Sequence, residues 1–435
     1  MKRSAFILLI FTIATSYAAS AQDWIRTGTG LGVEKVRIAV ADFKDNGNAG
    51  ALKQAFDETL FRDLNNAGIF DVVSKSFNPM VTPSSPQDVR LDQWSNPPTN
   101  AAMLAFGSMS VSGNSVSVAG WLFDTKNTQN PQVLGKQYRE DATEDNARLI
   151  AHKFADEIVF RLGGGIQGIF ESKIVFISTR SGNKEVWMMD YDGANQHQLT
   201  HTGEIALSPR ISPDGTQVAF TDLGRNGSQI AIYSLELKRL LAMPKHNGTN
   251  SSPAWSPDGT QIAFSSSMRG DPEIYIMSSS GANPRRVTAY KGPDVSPCFN
   301  PKTGAEIAWV SGRSGLPQIY TMENDGTHPQ QVTDGGYAVS PSWSPNGQFL
   351  AFAWIRHYGP GAPGGQDVYL LDVASKQWAQ LTHGEGRNDF PSWSPDGRHI
   401  VFERNNQIWS MLADGTQQHP LTNAGKNTQP NWSWK

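Results

Sequence analysis

Three carboxylates, two histidines, one cysteine and a series of arginines carry the chemistry open to this chain. Glu204, Asp294 and Asp389 occupy corresponding short segments. Brought together they could form a hydrolytic pair or a cation site; left apart they are solvated loop residues. His197 and His201 stand four residues apart. On extended chain that spacing separates them by about 13 Å, too far to share a metal, so no metal ligand set is expected. The only cysteine, Cys298, can form no intrachain disulfide and reads as a small buried residue rather than a nucleophile. An arginine follows an apolar run six times, at Arg180, Arg225, Arg269, Arg313, Arg356 and Arg404. This series admits two readings, a basic ring for an acidic partner or a repeated brace for a loop. No Gly-x-Ser-x-Gly elbow and no phosphate loop ending in Lys-Ser/Thr occurs. Gly163-Gly164-Gly165 follows a helical pattern instead of a strand, which is the wrong order for a dinucleotide site. No residue is nominated as catalytic, and the expectation is a binding protein rather than an enzyme.

These residues recur because the elements that hold them recur. The phrase SPRISPDGTQVAF starts at Ser208, with variants from Ser252, Ser296, Ser340 and Phe390, and a truncated copy, QPNWSWK, closes the chain. Its prolines, Pro209, Pro253, Pro297 and Pro341, are 44 residues apart; Pro391 follows after 50 and Pro430 after 39. A period of this size with strand-like apolar triplets marks a β-propeller. Each repeat reads as four short strands: Pro-x-Trp-Ser, a triplet such as Ile262-Ala263-Phe264, an alternating run such as Ile274 to Met277, and an end in Leu-Thr or Val-Thr. Ser-Pro-Asp-Gly joins the first two as a tight turn, where Pro sets φ, Asp bonds local backbone and Gly accepts positive φ. The region opens at Lys173 with strands two to four only and ends in a lone first strand at Pro430. The count therefore predicts six blades, the first completed by the C-terminus so that no edge is left unpaired.

Trp255, Trp343, Trp393 and Trp432 share one repeat position, held elsewhere by Ile211 and Phe299. Their recurrence in phase with the strands favours a core between blades over a ligand-stacking ring. The turns are uniform and the loops of the opposite face vary, so recognition is expected on the loop face. There the Gly- and Pro-rich segment from Ile355 to Gln366 enlarges the fifth blade.

Upstream the grammar changes. Residues 1–21 read as a secretory signal, with Lys2 and Arg3, an apolar stretch from Ala5 to Ile13, and Ala19-Ser20-Ala21 before a cleavage point at Gln22. Its removal takes the net charge from −3 to −5, with 35 basic against 40 acidic residues. Mild acidity argues against nucleic-acid binding, which needs a basic footprint. No later apolar run has membrane-spanning length. Residues 22–35 form a short arm. Residues 36–165 read as a small α/β domain. Its strands are expected at 36–40, 103–109, 116–123 and 133–138, with helices at 51–67 and from Thr143 to the glycines at 163–165. Residues 166–435 form the propeller.

The whole pattern resembles the TolB family of periplasmic propeller proteins. The resemblance rests on the helix Ala151-His152-Lys153-Phe154-Ala155-Asp156-Glu157-Ile158 and the join Gly165-Ile166-Gln167-Gly168-Ile169-Phe170. It rests also on the Pro-Asp-Gly blades and on Pro244-Lys245-His246-Asn247-Gly248. It implies a non-enzymatic, monomeric scaffold of the Tol–Pal system that supports outer-membrane integrity and constriction during cell division. Such proteins bind the lipoprotein Pal through the loop face, and TolA, of the TolQ–TolR–TolA motor, through the N-terminal arm. Association with the outer membrane would be peripheral, through Pal. Carried onto this chain, His246, Asn247 and Gly248 match a Pal-contacting loop. Asp294, Val295 and Ser296 occupy the next blade's equivalent, where some relatives carry Thr-Glu. Gln22, Asp23, Trp24, Ile25, Arg26 and Thr27 take the place of the TolA-binding segment by position alone. For His246 a histidine that only caps local backbone is an equal reading, and for the arm a disordered terminus is the other one. No cofactor is expected, a calcium ion in the propeller channel being the one left open. The alternative function is a propeller hydrolase, lyase or lectin acting on envelope polysaccharide.

Overall fold

The computed structural model describes residues 23–225, 227–359 and 364–434; the expected signal peptide and Gln22 lie outside them. The described chain divides into two compact units, residues 31–171 and residues 23–30 together with 172–434. The expected boundaries at 35 and 165 thus shift to 30 and 171. The arm splits, its first part packing with the propeller.

The first unit is built on a mixed sheet. Strand β1 (Val36–Val40) was legible from its apolar alternation; β2 (Lys44–Asp45) and β3 (Phe70–Val72) were not, being too short to show a period. The long strands β4 (Met103–Ser112), β5 (Ser115–Asp124) and β6 (Gln132–Asp141) follow, in the order β3-β1-β4-β5-β6, with β2 beside β4. The helices Gly50–Asn66 and Glu144–Leu162 pack on one another. Thr143 caps the second, its hydroxyl accepting from the Asn146 amide at 3.2 Å. Buried rings of Phe43, Phe56 and Phe154 form the centre, Phe43 lying 4.6 Å from Phe56 and 6.1 Å from Phe154. His152 on the second helix meets Asp63 on the first at 2.7 Å.

The helix–glycine join has a definite cause. Asp156, on the second helix, accepts hydrogen bonds from the backbone N–H of Phe170 at 3.0 Å and of Glu171 at 3.3 Å. A Cβ on Gly168 would sit 1.8 Å from the Asp156 carboxylate, so only glycine lets the chain pass. Burial pushes the Asp156 carboxyl up to about 7.

The second unit contains six four-stranded antiparallel sheets. Blade one takes Lys173–Ser178, Glu185–Asp190 and His197–Gln198, and its innermost strand is the C-terminal Asn427–Trp432. The closing register pairs Asn427 with Ser178 and Trp432 with Ile174. Blades two to six begin at Ile205, Asn250, Asp294, Tyr337 and Asn388. The Leu-Thr and Val-Thr endings are braces. In blade three the Thr288 hydroxyl accepts from the Ile274 amide at 2.9 Å and donates to Glu273 at 2.6 Å, and Thr200 with Glu185 and Thr382 with Asp367 repeat the arrangement.

The four repeated tryptophans are core, 2–6% exposed. Trp255 donates to the Arg210 carbonyl at 3.1 Å and Trp393 to the Ser342 carbonyl at 3.2 Å, each indole stapling its blade to the one before. Trp432 donates to Ser172 Oγ at 2.7 Å. Every innermost strand also carries a bulge at the residue before its proline. Ser208, Ser252, Ser296, Ser340, Phe390 and Gln429 have φ between 51 and 56°. The proline has no N–H to lose from the ladder there. The freed amides turn to neighbours, as when Ser208 N–H donates to Gln429 Oε1 at 2.7 Å and Ser252 N–H to Thr221 Oγ1 at 2.9 Å.

Candidate protein-docking site

Connectivity places the second-to-third and fourth-to-first loops at one end of the propeller and the Pro-Asp-Gly turns at the other. Exposed apolar side chains gather at the loop end. Ile205 and Leu223 are cross-strand partners there, 41% and 39% exposed. Tyr290, Leu316 and Tyr358 stand in loops of the same face, and Tyr358 lies 5.6 Å from Tyr337. Exposed apolar side chains on several loops of one face are the kind of surface that suits a protein partner.

The sequence-nominated loop residues divide. Asn247 and Gly248 are exposed, and Gly248 has φ of 77°. His246 is partly buried: its Nε2 lies 2.9 Å from the Gly281 carbonyl, its amide donates to Gln229 Oε1 at 3.1 Å, and its carbonyl accepts from Gln229 Nε2. The ring is therefore engaged with backbone on one side. Asp294 is fully buried, accepting from Ser311 Oγ at 2.5 Å and pairing with Arg313 at 3.0 Å. Its carboxylate braces the loop and offers nothing outward, a correction to its place among surface contacts. Val295 is partly buried and Ser296 is the bulge residue, its amide donating to Ser265 Oγ at 3.2 Å.

The carboxylates open to catalysis do not convene. Asp294 is spent as above. Asp389 accepts from Ser340 Oγ at 2.8 Å and from the Phe390 amide at 2.7 Å, and pairs with Arg387 at 2.9 Å. Neither of them, nor Glu204, His197 or His201, joins a cluster with metal-ligand spacing among the described residues. Two loop-face carboxyls sit above their ordinary range. Burial raises Asp222, helped by Glu204 and Glu185, and burial raises Glu403, helped by Asp389. Cys298 is only partly buried, where a buried residue was expected, and desolvation pushes its thiol up to about 12, so it is uncharged near neutral pH.

Four of the six repeated arginines are braces that stack on aromatic rings. Arg180 lies 4.3 Å from Trp187, Arg313 3.8 Å from Tyr290, Arg356 4.1 Å from Trp378 and Arg404 4.6 Å from Trp409. Arg225 and Arg269 are exposed, so the bracing does not extend to every blade.

The arm is an ordered element on the turn face. Residues 23–28 are helical. Ile25 is fully buried, Trp24 packs on Phe349 with centroids 5.6 Å apart, and Arg26 Nε lies 4.0 Å from Asp414. Gly28 passes so close that a Cβ would fall 2.3 Å from Phe349 Cζ. Its carbonyl accepts from Asn346 Nδ2 at 3.1 Å. Asn346 is the middle residue of a Pro-Asn-Gly turn where blades two, three and six have Pro-Asp-Gly. A carboxylate could hold the turn but could not donate. That departure from the repeat was the available signal for arm docking, and repeat reading passed over it. The bulge serines and the loop-face apolar group went unread for a different reason: neither disturbs the apolar period.

The channel is lined by the innermost strands. Calcium takes oxygen ligands, usually with several carboxylates. Among the described residues lining the channel there is one guanidinium, Arg210, and no Asp or Glu. That donor set does not fit calcium.

Comparison with known sequences settles the family. The sequence model of the TolB beta propeller domain matches residues 160–357 and 336–435, and that of the TolB amino-terminal domain matches residues 29–130. The chain belongs to the TolB family. It is 37% identical to the protein TolB homolog of Chlorobium chlorochromatii, over 56% of this chain and 54% of that one. It is 31% identical to the TolB homolog of Chlorobium luteolum, over 69% and 68%. With the Tol-Pal system protein TolB of Actinobacillus succinogenes it shares 32% identity over 55% and 56%. The alignments thus span about half the length of the first curated TolB relatives. The crystal structure of TolB from Acinetobacter baumannii superposes with a TM-score of 0.76 at 23% identity, covering 92% of this chain and 97% of the other, which establishes a shared fold. A nidogen/laminin complex matches at a TM-score of 0.50 and 12% identity over 60% of this chain. The propeller alone therefore does not specify the TolB role.

Proposed function

We propose that this protein is a non-enzymatic, monomeric scaffold of the Tol–Pal system. It is exported to the periplasm, its signal peptide cleaved near Ala21. It binds the soluble domain of Pal on the propeller loop face and presents its N-terminal arm to TolA, supporting outer-membrane integrity and constriction at division. Pal would hold it peripherally at the outer membrane. The observation that carries this reading is the group of exposed apolar side chains on the loop face, Ile205, Leu223, Tyr290, Leu316 and Tyr358, above carboxylates already committed to loop bracing. A surface of that kind suits a protein partner better than a reaction.

The relatives named for the Tol–Pal system support the partner's identity, and the two-sided layout supports two partners. The arm docks at the turn end, remote in connectivity from the loops that would meet Pal. In the docked state Ile25 is buried and Trp24 partly so against Phe349, so TolA would have to take the arm after it leaves Phe349.

Titration calorimetry of the chain from Gln22 with the soluble domain of Pal from the same cell tests the reading. One-to-one binding at micromolar affinity or tighter is expected. A folded chain that shows no heat with Pal removes the proposal.

A further inference from the structure

The channel of the propeller contains a charge without a counter-charge. Arg210 lies on the innermost strand of blade two, one residue after the bulge proline. At the same repeat position the other blades carry Ala254, Cys298, Ser342, Ser392 and Asn431, all smaller. The guanidinium therefore reaches into space that no opposing long side chain fills. A guanidinium has five N–H donors. One from Arg210 goes to the neighbouring Pro209 carbonyl at 2.8 Å, and no carboxylate pairs with it among the described residues. The Cys298 thiol stays protonated, so it provides no counter-charge. Arg210 is half-buried, its burial acts against the charged form, and the guanidinium keeps its proton regardless.

A cation held in a channel without an anion is costly, and an anion entering from solvent relieves that cost. The lining is suited to one. Ser252 and Ser296, at the bulges of the next two blades, line the same cavity, whose volume is about 170 Å³. This is smaller than the roughly 300–1,000 Å³ of drug-sized ligand pockets. It has room for a small ion. Arginine's planar fork matches oxyanions by paired N–H···O bonds.

We propose that the propeller channel is a binding site for one small oxyanion, a phosphate-type ion or a carboxylate group, held by the guanidinium of Arg210 with hydroxyl groups of the bulge serines. The cavity extends toward the turn end, where Pro301, Pro345 and Pro395 line it, and the proposal does not rest on the Tol–Pal reading.

Inorganic phosphate is the probe. The chain from Gln22 is titrated with phosphate and, separately, with acetate at fixed ionic strength, by calorimetry and by thermal melting. Saturable one-to-one binding with a raised melting temperature is expected for at least one of the two, and the tighter binder tells a tetrahedral ligand from a carboxylate. Arg210→Gln should weaken it about tenfold or more, since a charge-assisted contact is lost; Arg210→Lys should keep part of it. Binding to neither anion overturns the proposal, as does equal binding by Arg210→Gln. Crystals soaked in selenate give a readout that needs no variant: an anomalous peak at Arg210 supports the site, and a channel without one removes it.

Discussion

Asn346→Asp should free the N-terminal arm while leaving the propeller intact. The turn at 345–347 needs a side-chain oxygen at position 346: Asn346 Oδ1 accepts from Ser344 Oγ at 2.6 Å and from the Gln348 amide at 3.1 Å. Aspartate supplies that oxygen equally well, as Asp258 does, accepting from Ser256 at 2.6 Å and from the Thr260 amide at 3.0 Å. What aspartate cannot supply is the N–H that reaches the Gly28 carbonyl at 3.1 Å. It sets a carboxylate oxygen against a carbonyl oxygen there instead. Losing a neutral hydrogen bond costs about 0.5–1.5 kcal/mol, and the opposed oxygens add to it. Since 1.4 kcal/mol is a factor of ten, the undocked arm should become about tenfold more populated. Arg26 makes this measurable, because trypsin cuts after arginine and the docked helix shields that bond. When opening is fast relative to cleavage, the cutting rate follows the open population. The variant should be clipped at Arg26 about tenfold faster, with a melting temperature within about 5 °C of the parent, the shift expected for about 1.4 kcal/mol in a unit of this size. An unchanged clipping rate with intact fold would mean that Asn346 does not hold the arm, and that the Trp24 and Ile25 contacts suffice.

Trp432→Ala removes a buried indole from the closing strand and its bond to Ser172, at a cost of about 3–5 kcal/mol. Its melting temperature should fall by roughly 10 °C, whereas the half-exposed Trp378→Ala should move it far less; equal shifts would argue against closure by the C-terminus. Asp156 gives the first unit a pH dependence. Its folded carboxyl is raised to about 7 from 3.8, so between these values the folded state holds a proton that the unfolded chain has released. Stability of that unit should therefore be greatest at low pH and fall by about 2–3 kcal/mol from pH 5 to pH 8. Urea unfolding of Asp156→Asn should lack this decline; a decline like the parent's would assign it to another group. On the loop face, Tyr358→Ser should weaken Pal binding several-fold with an unchanged melting curve. His246→Ala should weaken it at least tenfold and also loosen the loop tied to Gly281, seen as faster amide exchange near residue 246. Affinity unchanged in both variants would move the Pal surface elsewhere.

Repeats and periods made most of the fold legible. The 44-residue spacing, the Asp-Gly turns and the uneven strand count at the two ends imply six blades closed by the C-terminus. Those features are local, and each copy confirms the next. The helices at 50–66 and 144–162 were equally plain, because their apolar spacing and stop signals lie within a few residues. The site was harder to read. Asp294 and Asn247 both lie between a fourth and a first strand, yet Asp294 opens its strand, where its counterparts Asn250, Asn388 and Asn427 are buried as well, and Asn247 sits in the exposed loop before one. The arm looked like a loose polar terminus, and only the Phe349 ring and the Asn346 amide, more than 300 residues away, turn it into a docked helix.

By itself, then, the sequence determined the propeller, its closure and the small α/β unit, since hydrophobic period and turn chemistry act between near neighbours. The tertiary structure decided which polar groups are spent on bracing and which face solvent. It placed the arm against blade five and left Arg210 alone in the channel. Those outcomes depend on closing the ring, which brings side chains from separate blades within hydrogen-bonding distance.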